Sequence, residues 1–155
     1  MDTSKYTFID LGLPSGLLWS MTAIDHTDHP DAIAKYGKDM PTWDQAIELM
    51  QHTRATAIRT VKDNKDGVLY TGANGNSIFV PLYERDRIPY FETDKSTLFW
   101  TKDNALNENR KPIEPYDACN DAIAEGYEYD DINLGPQGDA FHKALTFNIL
   151  LVKQP

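Results

Sequence analysis

The sequence has a single cysteine, Cys119, and no apolar run near the ~20 residues that a membrane-spanning helix needs. A lone thiol excludes an internal disulfide, so the fold must rest on packing. No nucleophile motif surrounds Cys119, which favours a structural thiol over a catalytic one. Basic residues are scarce: 15 Lys and Arg stand against 24 Asp and Glu, a net charge of −9. That balance argues against nucleic acid as a partner, because phosphate binding needs clustered Lys and Arg. There is no Gly-rich phosphate loop, no Ser nucleophile elbow and no His-Glu-x-x-His. Carboxylates are many, but no spacing singles out a pair. No catalytic residue, no cofactor and no enzymatic activity are therefore expected. The opening MDTSKYTFID lacks the basic start and apolar stretch of a secretory signal. The expectation is a chain that stays in the cytoplasm, leaves its maker by another route, or has lost a leader.

What is present describes one globular domain. The chain has 155 residues, 41% hydrophobic and 25% charged. That is enough to bury about 70% of the surface exposed by the unfolded form. Charge is unevenly spread. Between Asp103 and Asp139 stand ten acidic and two basic residues, so this segment carries −8 of the net −9. It must face water or cations.

Lys5 to Asp10 reads as a first strand with Tyr6 and Phe8 on one face. Ile24 to Asp39 is polar and reads as a loop. Thr42 and Gln45 form a capping box, and Trp43, Ala46, Ile47 and Met50 follow at helical spacing, predicting a helix from about Trp43 to Thr53. Val68–Thr71 and Ser77–Val80 flank Asn74-Gly75, a hairpin signal, and Pro81 ends or edges the second strand. Leu98-Phe99-Trp100 reads as a short strand. Lys102 to Asp139 has no sustained period and reads as a long irregular excursion, with a short helix near Tyr116 to Ala124. Ala144 to Val152 is the last strand, with Leu145, Phe147, Ile149 and Leu151 on one face. The sum is a single α+β domain over 1–155, with a mostly antiparallel sheet, one main helix and a loop excursion over about 102–143. The two terminal strands are expected to pair.

Three clusters invite a binding reading. Asp25-His26-Thr27-Asp28-His29 carries zinc-ligand side chains, but His52 and His142 are far off in sequence and no second cluster has ligand spacing. A solvated loop is the better reading, and no metal residue is assigned. Asp117, Asn120, Asp121, Glu125, Glu128, Asp130 and Asp131 offer oxygens for calcium, yet no EF-hand pattern is present. Nor do the Glu-Pro-Asn, Gln-Pro-Asp or Trp-Asn-Asp triplets of calcium-dependent sugar binding occur. Tyr116, Tyr127 and Tyr129 sit among Asn, Asp and Gly. Tyr with small polar residues is the composition of binding surfaces. It is equally that of rings pinning a loop to a core.

The motifs resemble a known family. YTFIDLGLPSGLLW (6–19) is similar to the opening of the Fibrobacter-type major paralogous domain of Bacteroidetes surface proteins: an aromatic strand, DLGLPSG, two residues and Trp. Met40–Leu49 is similar to that family's LPT…W.ELI helix, Thr71–Pro81 to its TGPNGNSIFLP, Leu98–Thr101 to its YYWSST strand, and Phe147–Lys153 to its closing VRLVK strand. The order is the family's. The matches cover most of the chain outside 20–39 and 102–143. Two departures stand out: the family's YGDYYAWGE-like region is reduced to Lys35-Tyr36-Gly37-Lys38, and the stretch after Trp100 is longer.

The resemblance implies a C-type-lectin-like fold, related to that of formylglycine-generating enzymes. Those enzymes use cysteine pairs, which one cysteine cannot supply. The same fold carries the variable receptor-binding proteins of diversity-generating retroelements, phage tropism proteins among them. It also implies that DLGLPSGLLW is a buried corner, turning on Gly12 and Gly16 and dropping Leu13, Leu17 and Trp19 into the core. The expected function is non-enzymatic recognition of a cell-surface glycan or protein, on a virion or extracellular surface. The expected ligand-binding residues are Trp100, Tyr116, Asp117, Asn120, Asp121, Tyr127, Tyr129 and Asp130. The alternative is a structural or decoration protein of a phage virion, a homo-oligomer or partner of other virion proteins, with Leu150 and Val152 as its apolar patch. Neither reading involves membrane insertion.

Overall fold

A computed structural model describes residues 5–58, 67–81, 99–102, 123–126, 137–140 and 147–155, with backbone alone at His29, Ala57, 123–126 and 137–140. The described chain is α+β. Its strands are β1 (Phe8–Asp10), β2 (Leu18–Ser20), β3 (Asp25–Thr27), β4 (Thr53–Ile58), β5 (Gly67–Gly72), β6 (Ser77–Pro81), β7 (Phe99–Thr101), β8 (Ile123–Gly126), β9 (Gln137–Ala140), β10 (Phe147–Ile149) and β11 (Val152–Lys153). Its α-helices are α1 (His29–Tyr36) and α2 (Trp43–His52), with a 3₁₀ turn over Gly37–Asp39. Three small sheets result, in the orders β1-β2-β11, β3-β10-β7-β8-β9 and β4-β5-β6. Pairing between named strands is antiparallel except between β7 and β10.

The opening corner is buried as its composition implies. Leu11, Leu13, Leu17 and Trp19 are at most 5% exposed. Gly12 and Gly16 adopt φ of 69° and 76°, which L side chains avoid. The Asp10 carboxylate accepts from the Gly12 N–H (2.9 Å), and the Gly16 N–H closes a turn onto the Leu13 carbonyl (2.9 Å). Glu48 of α2 reaches across to accept from both the N–H and the hydroxyl of Ser15.

The hairpin β5–β6 forms in the expected place, with Gly75 at φ 87°. Its tip locks onto the corner. The side-chain amides of Asn74 and Asn76 both donate to the Asp10 carbonyl, at 2.8 and 2.9 Å. Gly72 lies so close to Leu11 that a Cβ there would overlap the Leu11 carbonyl oxygen. DLGLPSG and TGANGN are thus two halves of one joint.

Helix α2 carries the predicted capping box: the Gln45 N–H donates to Thr42 Oγ1 (3.2 Å) and the Thr42 N–H to Gln45 Oε1 (2.8 Å). Its buried stripe is Trp43, Ala46, Leu49 and Met50. Ile47, expected in that stripe, is half-buried.

Several expectations are corrected. Residues 24–39 are not a loop, because Asp28 caps α1 by accepting from the Asp31 N–H (2.9 Å), and Pro30 sits in its first turn where its missing N–H costs nothing. Ala32 is fully buried beneath it. The terminal strands do not pair with each other; β2 lies between them, with Ile9 and Val152 both opposite Trp19. The last strand is broken into β10 and β11, and its residues 147–151 are all buried. Leu150, expected on an exposed apolar patch, is 0% exposed. Finally, Lys102–Asp139 is not irregular throughout: β8 and β9 lie in it, and Ile123 and Ala124, expected to end a helix, are strand. The rest of that expected helix lies outside the described residues.

Two apolar clusters stand on either side of the 147–151 run. Leu150 joins Leu11, Leu17, Trp19, Tyr70 and Phe99 in one. Phe147, Ile149 and Leu151 join Ala32, Met40 and Trp100 in the other. β7 divides likewise, with Phe99 edge-on to Trp19 (6.1 Å between centroids) and Trp100 against Phe147 (4.5 Å). Because both faces are covered, apolar residues stand at consecutive positions here, Phe99-Trp100 and Ile149-Leu150-Leu151, instead of alternating.

Candidate functional site

The excursion that carries the acidic and tyrosine residues is mounted on β7, β8 and β9. The register sets Thr101 beside Ile123 and Ile123 beside Ala140 at one end of the three strands, and Gly126 beside Gln137 at the other. β7 is held from below by its pairing with β10 and by the burial of Phe99, Trp100 and Thr101. The Lys102 N–H donates to the Pro41 carbonyl (2.9 Å), tying the exit of β7 to the approach to α2. Asn148 of β10 donates from Nδ2 to the Pro81 carbonyl (3.0 Å), joining this sheet to β6.

Trp100, expected to contact ligand, is instead a core residue. It is 0% exposed, its indole N–H donates to the Thr27 carbonyl (3.0 Å), and its ring lies against Phe147. The sequence signal was misleading because the polar stretch begins immediately after it. Tyr116, Asp117, Asn120, Asp121, Tyr127, Tyr129 and Asp130 lie outside the described residues, as do Glu128 and Asp131. Their points of attachment are nevertheless fixed. Residues 103–122 join the Thr101 and Ile123 ends, whereas 127–136 join the Gly126 and Gln137 ends. Three steps of about 3.3 Å, from Ile123 to Gly126, separate the two attachments by roughly 10 Å. Tyr116, Asp117, Asn120 and Asp121 thus belong to one connector, and Tyr127, Tyr129 and Asp130 to another that starts from the opposite end of β8.

The Asp25–His29 cluster has a structural account. The Asp25 carboxylate accepts from the Tyr36 hydroxyl (2.6 Å) and from the His26 N–H (2.8 Å). Burial pushes the Asp25 carboxyl up, but those two hydrogen bonds and the Lys35 and His26 charges outweigh it and hold it below 3.8. Burial, the Asp25 hydrogen bond and the Asp25 charge all push the Tyr36 phenol well above 10.0. Asp28 serves as the cap of α1, and its carbonyl accepts from the Thr27 hydroxyl (2.8 Å). Among the described residues no three His, Cys, Asp or Glu side chains gather as a metal site would require. Among the same residues no helix is long and apolar enough to cross a membrane.

No protein family, curated protein or solved structure matches this chain.

Proposed function

We propose that the chain is a non-enzymatic recognition module with a C-type-lectin-like fold, and that its ligand is a glycan or protein on a cell surface. One observation carries the reading. Three adjacent strands of one sheet, β7, β8 and β9, are joined by connectors over 102–122 and 127–136, far longer than the two to five residues a hairpin needs. Long connectors on a fixed frame are the usual construction of a binding surface. The motifs shared with the surface-protein family support the frame half of this reading: DLGLPSG, the capped α2 and TGANGN are occupied in packing, which leaves recognition to the connectors. Tyr127 and Tyr129 in one connector, and Tyr116 in the other, supply large contact area at low entropic cost.

The test is binding of the purified protein to a glycan array and to intact bacterial cells, with calcium and with chelator. Tyr127→Ala/Tyr129→Ala and Tyr116→Ala variants run alongside. Loss of binding in the first variant alone assigns recognition to the 127–136 connector, and loss in the second alone assigns it to 102–122. Chelator sensitivity would assign the acidic side chains to calcium. Absence of binding to glycans and cells by the unmodified protein overturns the reading.

A further inference from the structure

A groove of about 320 Å³ opens between the approach to β1 and the exit from β2, lined by Lys5, Tyr6, Thr7, Met21, Thr22 and Ile24 among others. That volume is at the small end of ligand sites. It arises where a strand pair parts. The β1–β2 ladder extends one step, with the Met21 N–H donating to the Thr7 carbonyl (2.9 Å). The chain after β2 is then drawn elsewhere: the Met21 carbonyl accepts from the Phe79 N–H of β6, and the Ile24 N–H donates to the Ile149 carbonyl of β10, both at 2.9 Å. Tyr6 and Ile24 pack on the second apolar cluster and Ala23 on the first, so the floor is apolar and backed by core. Met21 stands 50% exposed at the rim.

The rim also carries one cation: the Lys5 ammonium lies 5.1 Å from the Tyr6 ring centre. Outside the groove's lining, the Lys153 ammonium lies 5.6 Å from the ring of Phe8, two positions along the same strand face. Among the described residues neither ammonium has a carboxylate within 4.0 Å. In a chain of net charge −9 this is a local reversal of sign.

We propose that this groove binds an apolar carboxylate: a hydrocarbon or aryl body lies along Met21, Ala23 and Ile24, and the carboxylate meets the Lys5 ammonium. A neutral apolar compound would gain nothing from the exposed Lys5 ammonium, whereas a carboxylate gains a modest attraction. A sugar would set its hydroxyls against the apolar floor, and a polyanion would face the repulsion of the whole chain. None of the groove's lining residues lies in 102–136, so this proposal and the one above rest on different side chains.

Octanoate and its neutral counterpart octanol, titrated into the full chain and followed by backbone amide NMR, test this. Octanoate should shift the amides of Thr7, Met21 and Thr22, bind about fivefold or more tightly than octanol, and weaken with added salt. Lys5→Met keeps the apolar stem of an exposed side chain and should abolish the preference. Tyr127→Ala/Tyr129→Ala should leave octanoate binding unchanged. A short peptide ending in a leucine carboxylate, set against its C-terminal amide, separates a chain-end ligand from a small molecule; binding of either carboxylate supports the site. Equal binding of octanoate and octanol, shifts confined to other amides, an unchanged preference in Lys5→Met, or no binding by any carboxylate overturns it.

Discussion

Replacing Gly72 by alanine should destabilise the protein far more than replacing Gly75, although Gly72 sits in a regular strand and Gly75 in a turn. At Gly72 the added methyl meets the backbone of Leu11, and backbone cannot swing aside. β5 cannot retreat either, because it is paired residue by residue with β4 on one side and β6 on the other. Relief must come from the corner. Leu11 would lose part of its burial, worth about 2 kcal/mol in full. The Asn74 and Asn76 bonds to the Asp10 carbonyl would loosen, at about 1 kcal/mol each. Partial loss of all three gives a cost of about 3 kcal/mol, the upper range for overpacking. At Gly75 a Cβ would meet nothing within 4 Å, so only the positive φ of 87° is penalised, at about 1 kcal/mol. With a urea slope of about 2 kcal/mol per molar, the midpoints should fall by about 1.5 M and 0.5 M respectively. Tryptophan emission reads the transition, since Trp19 and Trp100 are both fully buried. Asn74→Ala/Asn76→Ala removes the two bonds without adding an atom and should fall between the two. Equal shifts for Gly72→Ala and Gly75→Ala, or the reverse order, would refute the joint between the two motifs.

Trp100→Phe removes the indole bond to the Thr27 carbonyl and should lower stability by about 1–2 kcal/mol in the same urea assay while leaving cell or glycan binding intact; lost binding at unchanged stability would return Trp100 to the ligand surface. The folded Asp25 carboxyl titrates below its usual 3.8. Its contribution is therefore present above that value and fades as the pH falls through the lower folded value, so Asp25→Asn should flatten the acid side of a urea-midpoint profile taken from about pH 2 to 6. Tyr36 has the opposite sense: its phenol is raised above 10.0, so its contribution is complete below that pH and is lost as the pH climbs through the folded value. Tyr36→Phe should flatten the alkaline side of a urea-midpoint profile extended above about pH 10.

The parts of the fold legible in the sequence were those whose chemistry is local. The Asn74-Gly75 turn, the Thr42–Gln45 capping box and the Leu-rich corner each need particular residue types at fixed offsets, and each is present. Helix α1 is hard to read from the sequence because its polar face dominates: Asp28 and Pro30 signal a start, but among its described side chains only Ala32 is fully buried. The break between β10 and β11 was missed because alternation of Leu145, Phe147, Ile149 and Leu151 implies one covered face, whereas Leu150 is covered too. Trp100 was misread for a related reason, since neighbours in sequence said polar and neighbours in space are Phe147 and Thr27. Of the candidate site, the sequence supplied the residues and the register supplied where their connectors attach. The groove at Lys5 and Tyr6 had no sequence signal, because it depends on where Met21–Ile24 is pulled by β6 and β10.

The placement of β2 between β1 and β11 has a consequence for synthesis. Trp19 has Ile9 on one side within moments of emerging, but its other neighbour, Val152, is made much later. The Leu151 N–H that Ser20 Oγ accepts is separated from it by 131 positions. A ribosome-bound chain can therefore build the β4-β5-β6 meander before β11 is made, yet it keeps an open ladder edge on β2 until Val152 has been translated. Chains cut short before Val152 would keep that edge open permanently. β11 acts as a latch on β2, and the small sheet closes only once that strand exists.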